Sequence, residues 1–233
     1  QGVRHAIEAG KRLKKLGHDL VGIRLDSGDL AYLSIEARKL LDAAGFRKAS
    51  ILASNDLSEH LIASLKQQGA RIDAWGVGTK LVTAYDQPAL GGVYKLSALR
   101  NSDGTWQHKI KLSEQAVKVT NPGVLQVRRF RKGNLFVGDA IYDETRPLSE
   151  NVTIVDPADA TRRKHFAKGT KFEDLLVPIM RRGRVVYEVP SLEKTRDRAR
   201  RQLAMLHPGI RRLDNPHQYP AGLELSLHEF KTE

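Results

Sequence analysis

The first hundred residues alternate between short apolar runs and longer segments with helical spacing, and this alternation restricts the fold more than any other feature. Residues 20–26, 50–53 and 72–77 read as strands. Residues 5–16, 30–44 and 57–68 carry apolar side chains at helical spacing, and Gly45 and Gly69 stop the second and third. Strands separated by helices imply βαβ units and a parallel sheet, because a parallel return needs a crossover. Residues 93–99 are expected to add a further strand. Three or four such units are too few to close an eight-stranded barrel. The fold class is therefore α/β, either an open doubly wound sheet or part of an irregular, TIM-like barrel whose other strands lie outside this chain.

The texture changes after the turn Asn101-Ser102-Asp103-Gly104. Short alternating runs at 125–130, 135–140 and 185–189 read as antiparallel strands, joined by turns at Lys132-Gly133-Asn134 and Arg182-Gly183-Arg184. A charged amphipathic helix is expected over 192–206, stopped before Pro208-Gly209. A boundary near residue 100 separates βα units that carry a site (1–100) from the remaining barrel strands and a smaller, β-rich mixed region ending in a helix (101–233).

Composition narrows the class further. No apolar run approaches the roughly 18 residues that cross a bilayer, and there is no signal-peptide core after Gln1 and no cysteine, so a cytoplasmic chain without a membrane partner is expected. The net charge is +12, but residues 1–100 carry 15 basic and 10 acidic side chains and residues 101–233 carry 24 and 17, so neither part is a basic tail. With 6% aromatic residues and no zinc-finger, RRM or KH signature, the basic clusters read as solvated faces rather than a nucleic-acid interface.

Three strand ends hold the chemistry. In Gly22-Ile23-Arg24-Leu25-Asp26-Ser27-Gly28-Asp29, alternation puts Val21, Ile23 and Leu25 on the helix-facing side and Arg24 and Asp26 on the other. That side, at the C-terminal end of a strand, is where α/β folds bind ligands. A guanidinium on a buried face needs an anionic partner, and its fork suits a carboxylate. Asp29 reads equally as a helix cap and as a site residue. Next come Ser54-Asn55-Asp56, and then Gly76-Val77-Gly78-Thr79, whose glycines let backbone N–H groups approach a phosphate. Taken together the three ends favour one anion-binding site. Lys95 reads equally as a snorkelling side chain and as one that reaches the site. No histidine pair or cysteine offers a zinc site.

These residues, in the segments VGIRLDSGDL (21–30), ASNDL (53–57), AWGVGTKLVTAYDQPALGGVYKL (74–96) and, more loosely, PSLEKTRDRARRQL (190–203), resemble the nicotinate phosphoribosyltransferases. The resemblance implies the type II phosphoribosyltransferase arrangement, an irregular α/β barrel beside a mixed domain. It also implies transfer of phosphoribose from phosphoribosyl pyrophosphate to nicotinate, with Mg²⁺ or Mn²⁺, ATP as co-substrate and a homodimer. Matched residue by residue, Arg24 would bind the nicotinate carboxylate, and Thr79 with Gly76 and Gly78 the phosphate. Asp26 and Asp29 would contact ribose hydroxyls or the metal, directly or through water, and Asn55 would line the site. The family's Gly-Thr-x-Ala-His segment, with its phosphorylated histidine, does not occur here. The chain thus matches the C-terminal part of such an enzyme, with no residue for ATP coupling. The alternatives are nicotinamide or quinolinate phosphoribosyl transfer on the same fold, and a non-catalytic basic nucleic-acid-binding or scaffold module.

Overall fold

In the structure, a computed structural model that describes residues 1–89, 91–114 and 118–233, the alternation becomes a run of βα units. The order is α1 (Gly2–Lys15), β1 (Gly22–Leu25), α2 (Leu30–Ala43), β2 (Ser50–Ala53), α3 (Glu59–Gln67), β3 (Ala74–Trp75) and the single turn α4 (Thr79–Val82). The strands pair in parallel in the order β1-β2-β3. These elements belong to the first of two compact units, Gln1–Gly92 and Val93–Glu233.

Helix ends in the first unit follow local chemistry. The Asp29 carboxylate accepts from the Tyr32 amide at 3.0 Å, and Ser58 Oγ from the Leu61 amide at 3.2 Å, each satisfying a donor that the first helical turn leaves unpaired. At the other end of α2, the Arg38 guanidinium donates to the carbonyls of Phe46 and Ala49 at 2.7 and 2.6 Å and holds the connection into β2. Ile7, Ala37, Leu41, Phe46, Ala49 and Ile51 form one buried cluster, with Ile23 and Leu25 against it. Leu30, Ala31, Ala53, Leu57 and Leu65 form a second. Val21, expected on the same apolar face, is 84% exposed because β1 begins only at Gly22.

Residues 93–97, expected to continue the parallel sheet, have no regular structure. Residues 98–100 form β4 (Ala98–Arg100), which pairs antiparallel with β5 (Trp106–His108) across the predicted turn. There Asp103 accepts from the Thr105 amide and hydroxyl, an Asx turn that favours the hairpin over continuation of the chain.

The main sheet of the second unit contains β6 (Leu125–Lys132), β7 (Leu135–Asp143), β8 (Val152–Val155), β9 (Arg163–Phe166), β10 (Lys171–Asp174) and β13 (Ala221–Glu224), in the order β10-β6-β7-β13-β8-β9. Its two edge strands, β9 and β10, are consecutive in the chain. In a flat sheet they would lie about 24 Å apart, five spacings of about 4.8 Å, whereas the connection between Phe166 and Lys171 reaches at most about 17 Å. The sheet must therefore curl. Phe130 of β6 stacks on Phe166 of β9 with ring centroids 4.1 Å apart, and Ala140, Val152 and Ile154 complete the core inside the curl.

The predicted strand at 185–189 is reduced to β12 (Arg184–Val185), paired with β11 (Met180–Arg181). Helix α5 (Leu192–Ala204) starts at the expected residue, where Ser191 caps it. Pro208-Gly209 does more than stop it: Pro208 opens the short helix α6 (Pro208–Arg211), a position where its missing N–H costs nothing. The chain then inserts β13, parallel to β7 and antiparallel to β8, and closes with α7 (Leu225–Thr232). Among the described residues no helix is long and apolar enough to cross a membrane.

Charged pairs tie these elements together. Asp139 on β7 takes two bonds from Arg129, at 3.0 and 2.7 Å, and one from the Tyr219 hydroxyl at 2.8 Å, while Arg129 also reaches Gln202 of α5. Burial and the neighbouring Asp139 push the Tyr219 phenol well above its usual range. Asp143, at the end of β7, accepts from the Thr145 amide and hydroxyl, the Val124 amide and His108 Nε2 at 2.7 Å; the His108 ring lies edge-on to Phe230 of α7. Burial alone would raise the Asp143 pKa, but these donors outweigh it and hold the carboxyl below its ordinary value of 3.8.

Two outcomes follow for stability. A Cβ at Gly22 would sit 2.5 Å from the Ser50 carbonyl oxygen on the neighbouring strand. Gly22→Ala should therefore cost about 1–3 kcal/mol, read as a lower urea midpoint. Because the folded pKa of Asp143 lies below the unfolded 3.8, its contribution is present above that pH and is lost as pH falls through the folded value. Asp143→Asn should lower stability at neutral pH by about 1–3 kcal/mol and flatten the acid limb of a stability-versus-pH curve; an unchanged limb would remove Asp143 as its source.

Candidate active site

Parallel pairing continues past the ends of the strands. The Ser54 amide donates to the Leu25 carbonyl at 2.9 Å, and the Gly76 amide to the Ala53 carbonyl at 2.7 Å. The C-terminal ends of β1, β2 and β3 are thereby held side by side, so that Arg24 and Asp26, Ser54 and Asn55, and Gly76 to Thr79 share one edge of the sheet.

On that edge three side chains join directly. Arg24 Nη2 lies 3.3 Å from Asp26 Oδ2, and Ser54 Oγ donates to Asp26 Oδ1 at 2.5 Å. In this chain the Arg24 side chain is 61% exposed. Its anionic partner is Asp26. An exposed pair of this kind contributes little to stability, about 0–1 kcal/mol, so its use lies in orientation. Ser54 lies in the second predicted strand end, but the sequence alone assigns it no role of its own. The signal for it was present: it directly follows β2 as Asp26 directly follows β1.

Asn55 and Asp56 follow with φ of 95° and 42°. Two successive non-glycine residues in the left-handed region cost on the order of 1–3 kcal/mol each, and such strain gathers at functional turns. Asp29 acts as the cap of α2, the first of its two readings. Gly76 packs its backbone against Ser54 and Ala53. The Gly78 carbonyl accepts from the amides of Leu81 and Val82, both at 3.0 Å, which places Gly78 and Thr79 at the start of α4. The side chain of Thr79 has no hydrogen-bond partner among the described residues. Lys95 Nζ donates to the Lys118 carbonyl at 2.8 Å, within the second unit.

The carboxylates of this edge already have hydrogen-bond partners. Both Asp26 oxygens are engaged, one Asp29 oxygen caps α2, and no group of three His, Asp or Glu converges among the described residues. What the edge offers is a guanidinium, a hydroxyl-held carboxylate and a glycine-flanked threonine, suited to a small carboxylate beside a phosphate.

Known structures share this architecture. Human nicotinic acid phosphoribosyltransferase superposes with a TM-score of 0.68 at 27% identity, covering 96% of this chain and 42% of that one. A nicotinate-nucleotide pyrophosphorylase from Pyrococcus furiosus shares the fold, with a TM-score of 0.51 at 20% identity over 86% of this chain and 43% of that one. The chain therefore shares its fold with part of the human structure. Residues 125–231 match the family model of the nicotinate phosphoribosyltransferase C-terminal domain. The chain is 43% identical over 225 residues to nicotinate phosphoribosyltransferase of Bacillus subtilis, covering 95% of this chain and 44% of the relative. It is 37% identical to nicotinate phosphoribosyltransferase 2 of Arabidopsis thaliana, over 94% of this chain and 40% of the relative. With the human enzyme it shares 32% identity, over 97% of this chain and 43% of the relative. The matches to these relatives run along nearly the whole of this chain, which spans less than half of their length.

The cap at Asp29 is open to test. Asp29→Ala should lower thermal stability by about 1 kcal/mol and Asp29→Ser should restore most of it. Equal loss in both variants would show that the carboxylate matters for something other than capping α2.

Proposed function

We propose that the protein to which this chain belongs is a nicotinate phosphoribosyltransferase, transferring phosphoribose from phosphoribosyl pyrophosphate to the ring nitrogen of nicotinate, with release of pyrophosphate. The observation that carries the proposal is 43% identity to the Bacillus subtilis enzyme along 95% of the chain, which includes the edge where Arg24, Asp26 and Ser54 bond to one another.

In this reading Arg24 holds the nicotinate carboxylate through its fork of donors. Gly76, Gly78 and Thr79 receive the phosphate of the phosphoribosyl group: the Gly76 N–H is held by the Ala53 carbonyl, so the Gly78 and Thr79 N–H groups and the Thr79 hydroxyl meet the anion while Gly76 lets the backbone approach. Asp26 and Asp29 face the ribose hydroxyls, and Asn55 lines the same pocket. Departure of pyrophosphate builds positive character at the ribose carbon, and an anionic Asp26 nearby stabilises it. The chain's work is then positioning and electrostatic stabilisation. We assign Mg²⁺ or Mn²⁺ to the substrate's phosphates, because such ions keep waters and phosphate ligands rather than an all-protein cage. ATP coupling, a homodimer with the site at its interface and a cytoplasmic setting belong to the same reading, which gives no residue of this chain to ATP.

Competition between nicotinate and nicotinamide tests the central assignment. Arg24→Ala should reduce nicotinate affinity about tenfold or more, the loss of one charge-assisted contact, and should erase the preference over nicotinamide. Phosphoribosyl pyrophosphate should raise the melting temperature of both proteins. Retained selectivity in Arg24→Ala would sink the role of Arg24, and the absence of any shift would sink the transferase reading.

A further inference from the structure

The second unit carries a groove of about 840 Å³ beside its β6–β7 turn and the β9–β10 connection. Arg131, Lys132, Lys164, Lys168 and Lys171 line it, and no carboxylate does. The register of β6 against β7 shifts between Phe130 and Arg131, and a bulge of this kind bends the ladder and re-aims the side chains beyond it.

Before the bulge, every cation on β6 is matched. Arg128 makes two 2.8 Å bonds to Asp174, and Arg129 makes bonds of 3.0 and 2.7 Å to Asp139. Past it the matching stops. Among the described residues, Lys168 alone of the five groove cations has an ion-pair partner, the exposed Glu150. The sheet that pairs Arg128 and Arg129 thus gathers, on three neighbouring segments, four cations without an ion-pair partner among the described residues, and a bound anion would relieve their mutual repulsion.

We propose that this groove binds a compact, multivalent phosphate anion, either free polyphosphate or the triphosphate group of a nucleotide. Four of its five cations are lysines, flexible point charges that suit a phosphate chain better than the planar, two-pronged fit of a carboxylate. Nucleic acid is disfavoured because binding a single strand needs stacking platforms. The groove's Phe166 is 4% exposed and its ring is already stacked on Phe130. The proposal is independent of the transferase reading, whose residues lie in the first unit.

Calorimetric titration at matched ionic strength, with sodium tripolyphosphate, ATP and AMP, tests it. One-site tripolyphosphate binding is expected, weakened about tenfold or more by Lys132→Ala/Lys164→Ala and unchanged by Thr79→Ala. ATP binding that falls in parallel, with AMP inert, identifies a nucleotide triphosphate; tripolyphosphate binding without ATP identifies the free anion. The ligand-free melting temperature of the double variant should match the parent, and Lys132→Gln and Lys164→Gln singly serve if it does not. Tripolyphosphate that fails to bind, or binds equally to the lysine variants, overturns the site, as does binding lost only in Thr79→Ala. An RNA oligonucleotide that binds with a steep salt slope and that tripolyphosphate does not displace would assign the groove to nucleic acid instead.

Discussion

The parallel hydrogen-bond ladder of β1, β2 and β3 governs what the first unit can do. It runs one residue past each strand, from Leu25 to Ser54 and from Ala53 to Gly76, and this overrun is what brings polar ends that are far apart in sequence onto one edge. The helices contribute indirectly. Leu30, Ala31, Leu57 and Leu65 anchor α2 and α3 against the strands, so that the short turns leaving β1 and β2 have little freedom. Within those turns the Asp29 cap and the left-handed Asn55 and Asp56 fix the exit direction, and the strain at the latter pair is offset by packing around Leu57, which is 1% exposed.

The second unit solves a different problem. Inside the curled sheet, whose edge strands are joined by a short connection, the Phe130–Phe166 stack packs with Ala140, Val152 and Ile154. Outside, its strands are rich in arginine, and paired carboxylates at 139 and 174 convert that charge into cross-strand ties. Gln126 does the same with neutral atoms. Its side chain accepts from the Leu176 amide and donates to the Leu176 carbonyl, in effect adding one rung of ladder where β10 has ended.

Much of the first unit was legible because each of its elements is specified locally. β2 occupies the predicted residues 50–53, and the stops at Gly45 and Gly69 fall where the periodicity breaks. The failures have a common cause, which is that pairing partners are not local. Residues 93–99 have strand composition, yet the Asn101–Gly104 turn pulls their end into a hairpin with Trp106–His108. β13 has only four residues and joins the sheet between β7 and β8, far from it in sequence, which no periodicity reveals. Of the site, the residue types at the strand ends were readable. The bond between Ser54 and Asp26 was not, since it depends on the register Leu25↔Ala53.

That bond bears on how the edge could receive a substrate. Arg24 is already paired with Asp26, so a substrate carboxylate has to compete for the guanidinium, and an exposed pair of this sort offers only about 0–1 kcal/mol of resistance. If Asp26 swung free on losing Arg24, its charge would be poorly placed. Ser54 prevents this by holding the other carboxylate oxygen. In the proposed reaction Arg24 can therefore turn toward nicotinate while Asp26 stays fixed, its negative charge released from a partner and available to the ribose. The exchange converts an ion pair of small structural worth into two separately directed charges, and a serine hydroxyl beside Asp26 is the chemical feature that makes that division possible.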